Sequence, residues 1–252
     1  MLVTVAQVEG SGPREVGAWM AVTGTACIDT IGGGALEFDA IARARKLLAG
    51  GEKTSVQRVA LGPSLGQCCG GVVHLRYERL TAADAMGLRD RLQPAADGLN
   101  VALFGGGHVG QAIVTLLGRL PGRVQWIDSR DEVFPPSLLT GRVEAEHSEP
   151  VQAAVASVRP GASVLIMSFS HAEDLDVLAA CLLRQRAAND LPYIGLIGSK
   201  SKWASFQSRL RARGFSNAEL AQVTSPIGLP GIVGKQPEVI ALAVVAQLLS
   251  LR

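Results

Sequence analysis

Three glycines in this sequence have the spacing that phosphate-binding turns use. Gly105, Gly107 and Gly110 match the pattern G-x-G-x-x-G, in which glycine permits a tight turn, lets the backbone approach a ligand and lets a helix pack on a strand. Such a turn directs unpaired N–H groups and the positive end of a helix at one point, which suits a phosphate. The glycines alone do not identify the molecule that carries the phosphate.

Asp128 ends the next predicted strand and is a second candidate for ligand binding. It lies about 20 residues after the glycines, where a dinucleotide-binding fold places the acid that binds a ribose. One interpretation is therefore a contact with a hydroxyl or amide of a ribose or a pterin-like ring. The alternative is that the carboxylate caps the turn at 129–130.

Adjacent cysteines in a glycine-rich loop form the third candidate site. Side chains of neighbouring residues in an extended segment point in opposite directions, so Cys68 and Cys69 cannot easily both face a core. One interpretation is a small buried hydrophobe beside an incidental partner. The other is a thiolate whose pKa is lowered by the N–H groups of the loop.

Further polar residues follow predicted strands or lie in glycine-rich loops, and each has two interpretations. His108 could point into a ligand cleft or pack over the sheet edge, and His171 could be a ligand, a base, a cap or a solvated side chain. Ser199 is typical of a helix N-cap. Lys200 and Lys202 would suit a phosphate or form a solvated face, and Lys235 is the single charge in a long glycine-rich loop.

The elements that must position these residues indicate two domains. From residue 99 onward, short apolar strands alternate with helices, including helices predicted over 151–158 and 172–186, which favours a Rossmann-like, doubly wound parallel sheet. The first eighty residues are rich in β-strands with one helix over 36–48, which predicts a smaller α+β domain.

The predicted boundaries follow from shifts in composition along the chain. They are an N-terminal domain over 1–80, a helical linker over 81–98, a Rossmann-like domain over 99–224 and a glycine- and proline-rich loop with an apolar helix over 225–252. The last helix, over 239–251, is apolar nearly all round, so we expect it to be buried between layers, between domains or between subunits.

Composition excludes several classes of protein. Hydrophobic residues make up 48% of the chain and charged residues 18%, and 24 Lys and Arg balance 22 Asp and Glu. This balance argues against a nucleic-acid surface. No run reaches the about 18 apolar residues of a membrane helix, and the start of the chain lacks a signal-peptide pattern. The four cysteines form no C-x-x-C pair, so we expect a cytoplasmic protein with reduced thiols.

Several motifs together resemble the XdhC and CoxI family, the xanthine dehydrogenase accessory proteins. The most specific are the Gln-Cys-Cys-Gly-Gly run over 67–71 and the Pro-Ile-Gly-Leu run over 226–229. The other matching segments follow the order of the family along nearly the whole chain: 9–15, 31–37, 105–110, 134–135, 194–200 and 234–235.

The resemblance implies a protein that is not itself an enzyme. It would bind the molybdenum cofactor (Mo-molybdopterin), hold it while a cysteine desulfurase supplies the sulfido ligand, and deliver it to an apoenzyme of the xanthine dehydrogenase type. It also implies a homodimer. The implied contacts with the cofactor are Gln67, Cys68, Cys69, Gly105, Gly107, His108, Gly110, Asp128, His171, Ser199, Lys200 and Lys235. Cys68 and Cys69 are the candidate ligands for the metal, since a thiolate suits a soft metal.

Two alternatives remain open from the sequence. The first is an NAD(P)-dependent oxidoreductase that uses the glycine turn and Asp128, although no Tyr-x-x-x-Lys pair accompanies the only tyrosines, Tyr77 and Tyr193. The second is a sulfur relay that passes a persulfide through Cys68 or Cys69.

Overall fold

The computed structural model describes residues 1–62, 70–84, 87–88, 91–92 and 98–251. The chain separates into two compact units, Met1–Gln93 and Pro94–Arg252. Half of the residues of the predicted helical linker over 81–98 fall outside the described residues, and the other half include a short 3₁₀ helix at Ala82–Asp84. None of the described helices is long and apolar enough to cross a membrane.

The first unit is an antiparallel sheet covered by one helix. Its strand order is β3-β2-β1-β5-β4. The strands are β1 (Leu2–Glu9), β2 (Trp19–Val22), β3 (Cys27–Asp29), β4 (Thr54–Ala60) and β5 (Val72–Glu78). Helix α1 (Gly34–Gly50) buries Leu36, Ala40, Ala44 and Leu47 against this sheet. These residues recur at helical spacing, which makes one apolar stripe on α1.

The second unit is a parallel sheet of six strands in the order β11-β10-β9-β6-β7-β8. The strands are β6 (Leu99–Phe104), β7 (Gly122–Asp128), β8 (Val143–His147), β9 (Ser163–Ile166), β10 (Tyr193–Leu196) and β11 (Val223–Thr224). From β6 the chain first adds β7 and β8 on one side. It then returns to the other side of β6 and adds β9, β10 and β11. Ligands of open parallel sheets bind at such a reversal, beyond the carboxyl ends of the strands.

Helices cover both faces of the parallel sheet. They are α2 (His108–Leu117), α3 (His171–Ala188), α4 (Lys200–Ala212), α5 (Asn217–Leu220) and α6 (Pro237–Ser250). Alternate residues of β6 enter different cores: Ala102 and Phe104 pack with α3 and α4, whereas Val101 and Leu103 pack with α2 and α6. The predicted fold class, a Rossmann-like sheet with a smaller N-terminal α+β part, is confirmed.

Two local predictions need correction, and one observation concerns the last helix. The segment predicted as a helix over 151–158 is a 3₁₀ helix, Val151–Ser157, that begins after Pro150. The sequence predicts no strand between the second strand and residue 151, but β8 lies there at the sheet edge. Helix α6 is not covered on every side within the chain, because the side chains of Leu242 and Leu249 are 55% and 42% exposed.

Candidate functional site

The predicted glycine turn connects β6 to α2 at the point where the strand order reverses. Gly105 has a φ of +133°, and a Cβ atom there would lie 2.1 Å from the carbonyl oxygen of Met167, which follows β9. A Cβ atom on Gly110 would lie 2.1 Å from the carbonyl oxygen of Gly105. The turn therefore needs glycine at both positions, one for the backbone conformation and one for close packing of α2.

Gly107 differs from these two glycines because it faces open space. It is the N-cap of α2, and no side chain caps the helix there. Apart from its neighbours in the chain and its own helix, no described residue would lie within 4 Å of a Cβ atom on Gly107. The first N–H groups of a helix have no partner inside the helix, so this end of α2 can accept an anion.

Three hydrogen bonds hold the turn in place. Trp126 Nε1 donates to the carbonyl oxygen of Gly105 at 2.9 Å, and Gln111 Nε2 donates to that of Gly106 at 3.1 Å. The N–H of Gly106 donates to Asp128 Oδ2 at 2.6 Å. Because Trp126 and Asp128 both belong to β7, the neighbouring strand fixes the shape of the turn.

Asp128 is buried, with 1% of its side chain exposed. Besides Gly106, its partner is Arg130, whose N–H and Nε donate to Oδ1 at 2.9 Å each and whose Nη2 donates to Oδ2 at 3.0 Å. Burial alone would raise the pKa of Asp128, but the hydrogen bonds from Arg130 and Gly106 outweigh burial and lower it. The carboxylate thus caps the turn at 129–130 and also supports the glycine turn.

The loops after β7 and β9 are joined by hydrogen bonds. Glu173 accepts a hydrogen bond from the hydroxyl of Ser129 at 2.9 Å and another from the N–H of Phe169 at 3.1 Å. The guanidinium of Arg130 lies 4.3 Å from the centre of the Phe169 ring, a separation at which a cation and an aromatic face attract. Phe169 remains 66% exposed.

A buried ion pair lies beyond the carboxyl ends of β9 and β10. Lys202 Nζ donates to Asp174 Oδ2 at 2.6 Å and to the carbonyl oxygen of Ile197 at 2.9 Å. The other oxygen of Asp174 accepts the N–H of Ser168 at 2.6 Å. Only 10% of the Lys202 side chain and 3% of the Asp174 side chain are exposed, so the pair fixes the positions of the two loops. The hydroxyl of Ser168 is buried and has no hydrogen-bond partner among the residues that the structure describes.

The remaining predicted residues lie at the starts of helices, in an exposed loop or outside the described residues. His108 and His171 begin α2 and α3 and are exposed. Ser199 is the N-cap of α4, and its hydroxyl accepts the N–H of Lys202 at 3.2 Å. Lys200 and Lys235 are exposed, the latter in the loop before α6. Gln67, Cys68 and Cys69 lie outside the described residues.

Sequence reasoning missed the part that Arg130 plays. The signal was present: an arginine two residues after a strand-ending aspartate can turn back onto its carboxylate. For Lys202 the sequence offered a phosphate contact or a solvated face, whereas the structure pairs Lys202 with Asp174. Among the described residues, no group of three or more His, Cys, Asp and Glu side chains could hold a metal ion.

A second glycine cluster, Gly32–Gly34 in the first unit, already binds an anion. The N–H groups of Ile31 and Gly33 donate to Glu37 Oε2 at 2.9 and 3.1 Å, and the hydroxyl of Thr30 donates to the same oxygen. Burial opposes the charge of Glu37, but these hydrogen bonds outweigh burial and lower its pKa. The turn before α1 therefore binds the chain's own carboxylate.

Comparisons with known proteins agree with the motifs. The model of the XdhC Rossmann domain matches residues 101–248, and the model of the XdhC and CoxI family matches residues 1–60. The Escherichia coli protein YqeB, described as uncharacterized, is 27% identical over 248 residues. That match covers 96% of this chain but only 42% of YqeB, so the chain spans less than half the length of this relative.

Two solved structures are similar to this one. A crystal structure described as a xanthine dehydrogenase from Bacillus halodurans has a TM-score of 0.69 and 19% identity, with 99% of this chain and 90% of the other covered. At this identity the likeness shows the fold. A structure described as the oxidoreductase ylbE from Lactococcus lactis has a TM-score of 0.39 and 14% identity, with 60% of this chain and 84% of the other covered.

Proposed function

Because the chain belongs to the XdhC and CoxI family, we propose that it is an accessory protein for an enzyme of the xanthine dehydrogenase type. In this proposal it has no turnover of its own. It binds the molybdenum cofactor as cargo, holds it while a cysteine desulfurase supplies the sulfido ligand, and delivers it to the apoenzyme.

The observation that carries the proposal is the uncapped start of α2 beside Gly107. The cofactor bears a phosphate, and the open space at this glycine gives a phosphate access to unpaired N–H groups. The glycine turn of the first unit offers no such position, because Glu37 occupies it. The α2 turn is therefore the better of the two glycine turns for an external anion.

The proposed site also includes a histidine next to Gly107 and the two adjacent cysteines. His108 begins α2 and is exposed next to Gly107, so it can contact a ligand held there. Cys68 and Cys69 remain the proposed contacts with the metal and its dithiolene, because a thiolate is a suitable neighbour for a soft metal.

The test is to purify the chain from cells that make the cofactor and to measure bound pterin and molybdenum. We expect both to co-purify with the wild type. In the variant Gly107→Ser, the new hydroxyl should cap α2 and compete for the same N–H groups, so pterin should be lost while the fold is kept. Gly24→Ser is the matched control, since Gly24 also faces open space but lies in the first unit.

The outcomes separate the alternatives. Wild-type protein without pterin or molybdenum would refute the proposal, and so would full pterin retention by Gly107→Ser. Loss of pterin from a Cys68→Ala/Cys69→Ala variant supports the thiolate contact. A variant that keeps pterin but no longer accepts sulfur from a desulfurase would instead favour the sulfur relay.

We also propose a homodimer, and a monomer in light scattering at micromolar concentration would contradict it.

A further inference from the structure

We propose that Arg130 closes the ligand crevice to NAD(H) by occupying the carboxylate that would otherwise bind the adenosine ribose. Asp128 has the sequence position of the ribose-binding acid in a dinucleotide fold. In such folds the acid accepts hydrogen bonds from ribose hydroxyls. A ribose can bind Asp128 in this way only if the carboxylate has acceptor positions that no other donor uses.

Every acceptor position of Asp128 is in use. An ionised carboxylate has about four lone-pair positions, and Asp128 accepts four hydrogen bonds, two on each oxygen. Oδ1 accepts the N–H and Nε of Arg130. Oδ2 accepts the N–H of Gly106 and Nη2 of Arg130. A ribose could bind Asp128 only by displacing one of these donors.

The donor that would have to move is the guanidinium of Arg130, and it is held firmly. It makes a bidentate pair with a carboxylate that is 1% exposed, and such pairs fix geometry as well as charge. The same guanidinium lies 4.3 Å from the centre of the Phe169 ring. The N–H of Phe169 is in turn bonded to Glu173, so the loops after β7 and β9 both hold the arginine over the acid.

Removing this side chain would free two acceptor positions. The two backbone N–H bonds to Asp128 would remain, while the positions used by Nε and Nη2 would become vacant on a buried, charged carboxylate. A ribose carries two neighbouring hydroxyls and could fill both. Arg130 is thus a specificity-determining residue, and the crevice favours phosphate-bearing ligands that place no ribose diol at Asp128. This inference deepens the proposed function and rests on it for the use of the crevice as the ligand site.

The experiment measures NADH binding by calorimetry on the purified full chain. The variants are Arg130→Ala and the milder Arg130→Gln, each also combined with Asp128→Asn. Arg213→Ala is the matched control, because it removes another arginine–aspartate pair, the exposed pair with Asp176. We expect wild type and Arg213→Ala to bind NADH no tighter than about 1 mM. Both Arg130 variants should bind at least about tenfold tighter, since each hydrogen bond to a carboxylate is worth about tenfold in affinity.

The combined variants show whether the gain comes from the carboxylate. With Asp128→Asn the gain should disappear, because the amide offers one acceptor oxygen in place of two. Micromolar NADH binding by wild type would overturn the inference, as would Arg130 variants no better than the control or a gain that survives Asp128→Asn. Should Arg130→Ala not fold, Arg130→Gln decides. Failure of the proposed function would appear separately, as wild-type protein without bound pterin.

Discussion

Replacing Lys202 by methionine tests whether the buried ion pair holds the loops of the candidate site. Methionine keeps most of the aliphatic stem but removes the ammonium that donates to Asp174 and to the carbonyl oxygen of Ile197. The Asp174 carboxylate, 3% exposed, would then keep only the N–H of Ser168 as a hydrogen-bond donor. Removing one partner of a buried pair leaves an uncompensated charge, which costs about 3–5 kcal/mol of stability.

The expected loss is large enough for urea denaturation. With a dependence on urea of about 2 kcal/mol per molar, a loss of about 3 kcal/mol lowers the midpoint by about 1.5 M. A Trp19→Phe background leaves Trp126 and Trp203, both in the second unit, so that fluorescence reports this unit alone. Lys200→Met is the control, because Lys200 is exposed two residues away and should change stability by less than about 0.5 kcal/mol.

A double-mutant cycle assigns the loss to the pair. Asp174→Asn combined with Lys202→Met removes both charges, so the double variant should be more stable than the sum of the single effects predicts, by at least about 1 kcal/mol. Equal midpoints for Lys202→Met and Lys200→Met would refute the reasoning, and so would strictly additive single effects.

Three further predictions concern the turns and their carboxylates. Gly105→Ala should destabilise the second unit by at least about 3 kcal/mol in the same urea assay. Its Cβ atom would collide with the carbonyl oxygen of Met167, and its φ of +133° is unfavourable for alanine. Gly107→Ala should cost less than about 1 kcal/mol. The pKa of Asp128 is lowered in the fold, so its contribution to stability should be complete above about pH 5 and be lost as the pH falls below about 4. The gap between the urea midpoints of wild type and Asp128→Asn should therefore narrow from pH 7 to pH 3. Glu37→Ala should destabilise the first unit by about 1–3 kcal/mol in unfolding followed by Trp19 fluorescence, because the N–H groups of Ile31 and Gly33 would lose their acceptor.

The parallel sheet could be predicted from sequence because its strands and helices carry strong periodic signals. Leu175, Leu178, Ala179 and Leu182 of α3 are buried on the sheet, as their helical spacing predicts. Leu183 belongs to the same predicted stripe but is 52% exposed. Strand β8 gave no comparable signal. It lies at the edge of the sheet, and among its residues only Val143 is buried, so the alternation of apolar and polar residues is too weak to detect.

The candidate site could be predicted less completely than the fold. Glycine spacing correctly located the turn, because the positive φ of Gly105 and the close approach of Gly110 to Gly105 arise within the turn itself. The partners of Asp128 and Lys202 depend on side chains that turn back or come from other loops, and spacing along the chain does not encode these contacts. The sequence therefore predicted an acid at the end of the strand, but it did not predict that Arg130 pairs with this acid.

If the chain carries a phosphate-bearing cargo, as proposed, the hydrogen bonds that fix the glycine turn also affect how fast that cargo is exchanged. The turn is anchored by Trp126, Gln111 and Asp128, so an arriving phosphate meets N–H groups that are already in position. We expect rapid, single-phase association with no slow ordering of the turn. A preformed turn cannot close over its cargo, so the residence time depends on the contacts themselves. Transfer to an apoenzyme would then need only a tighter receiving site, without an energy source to open the carrier.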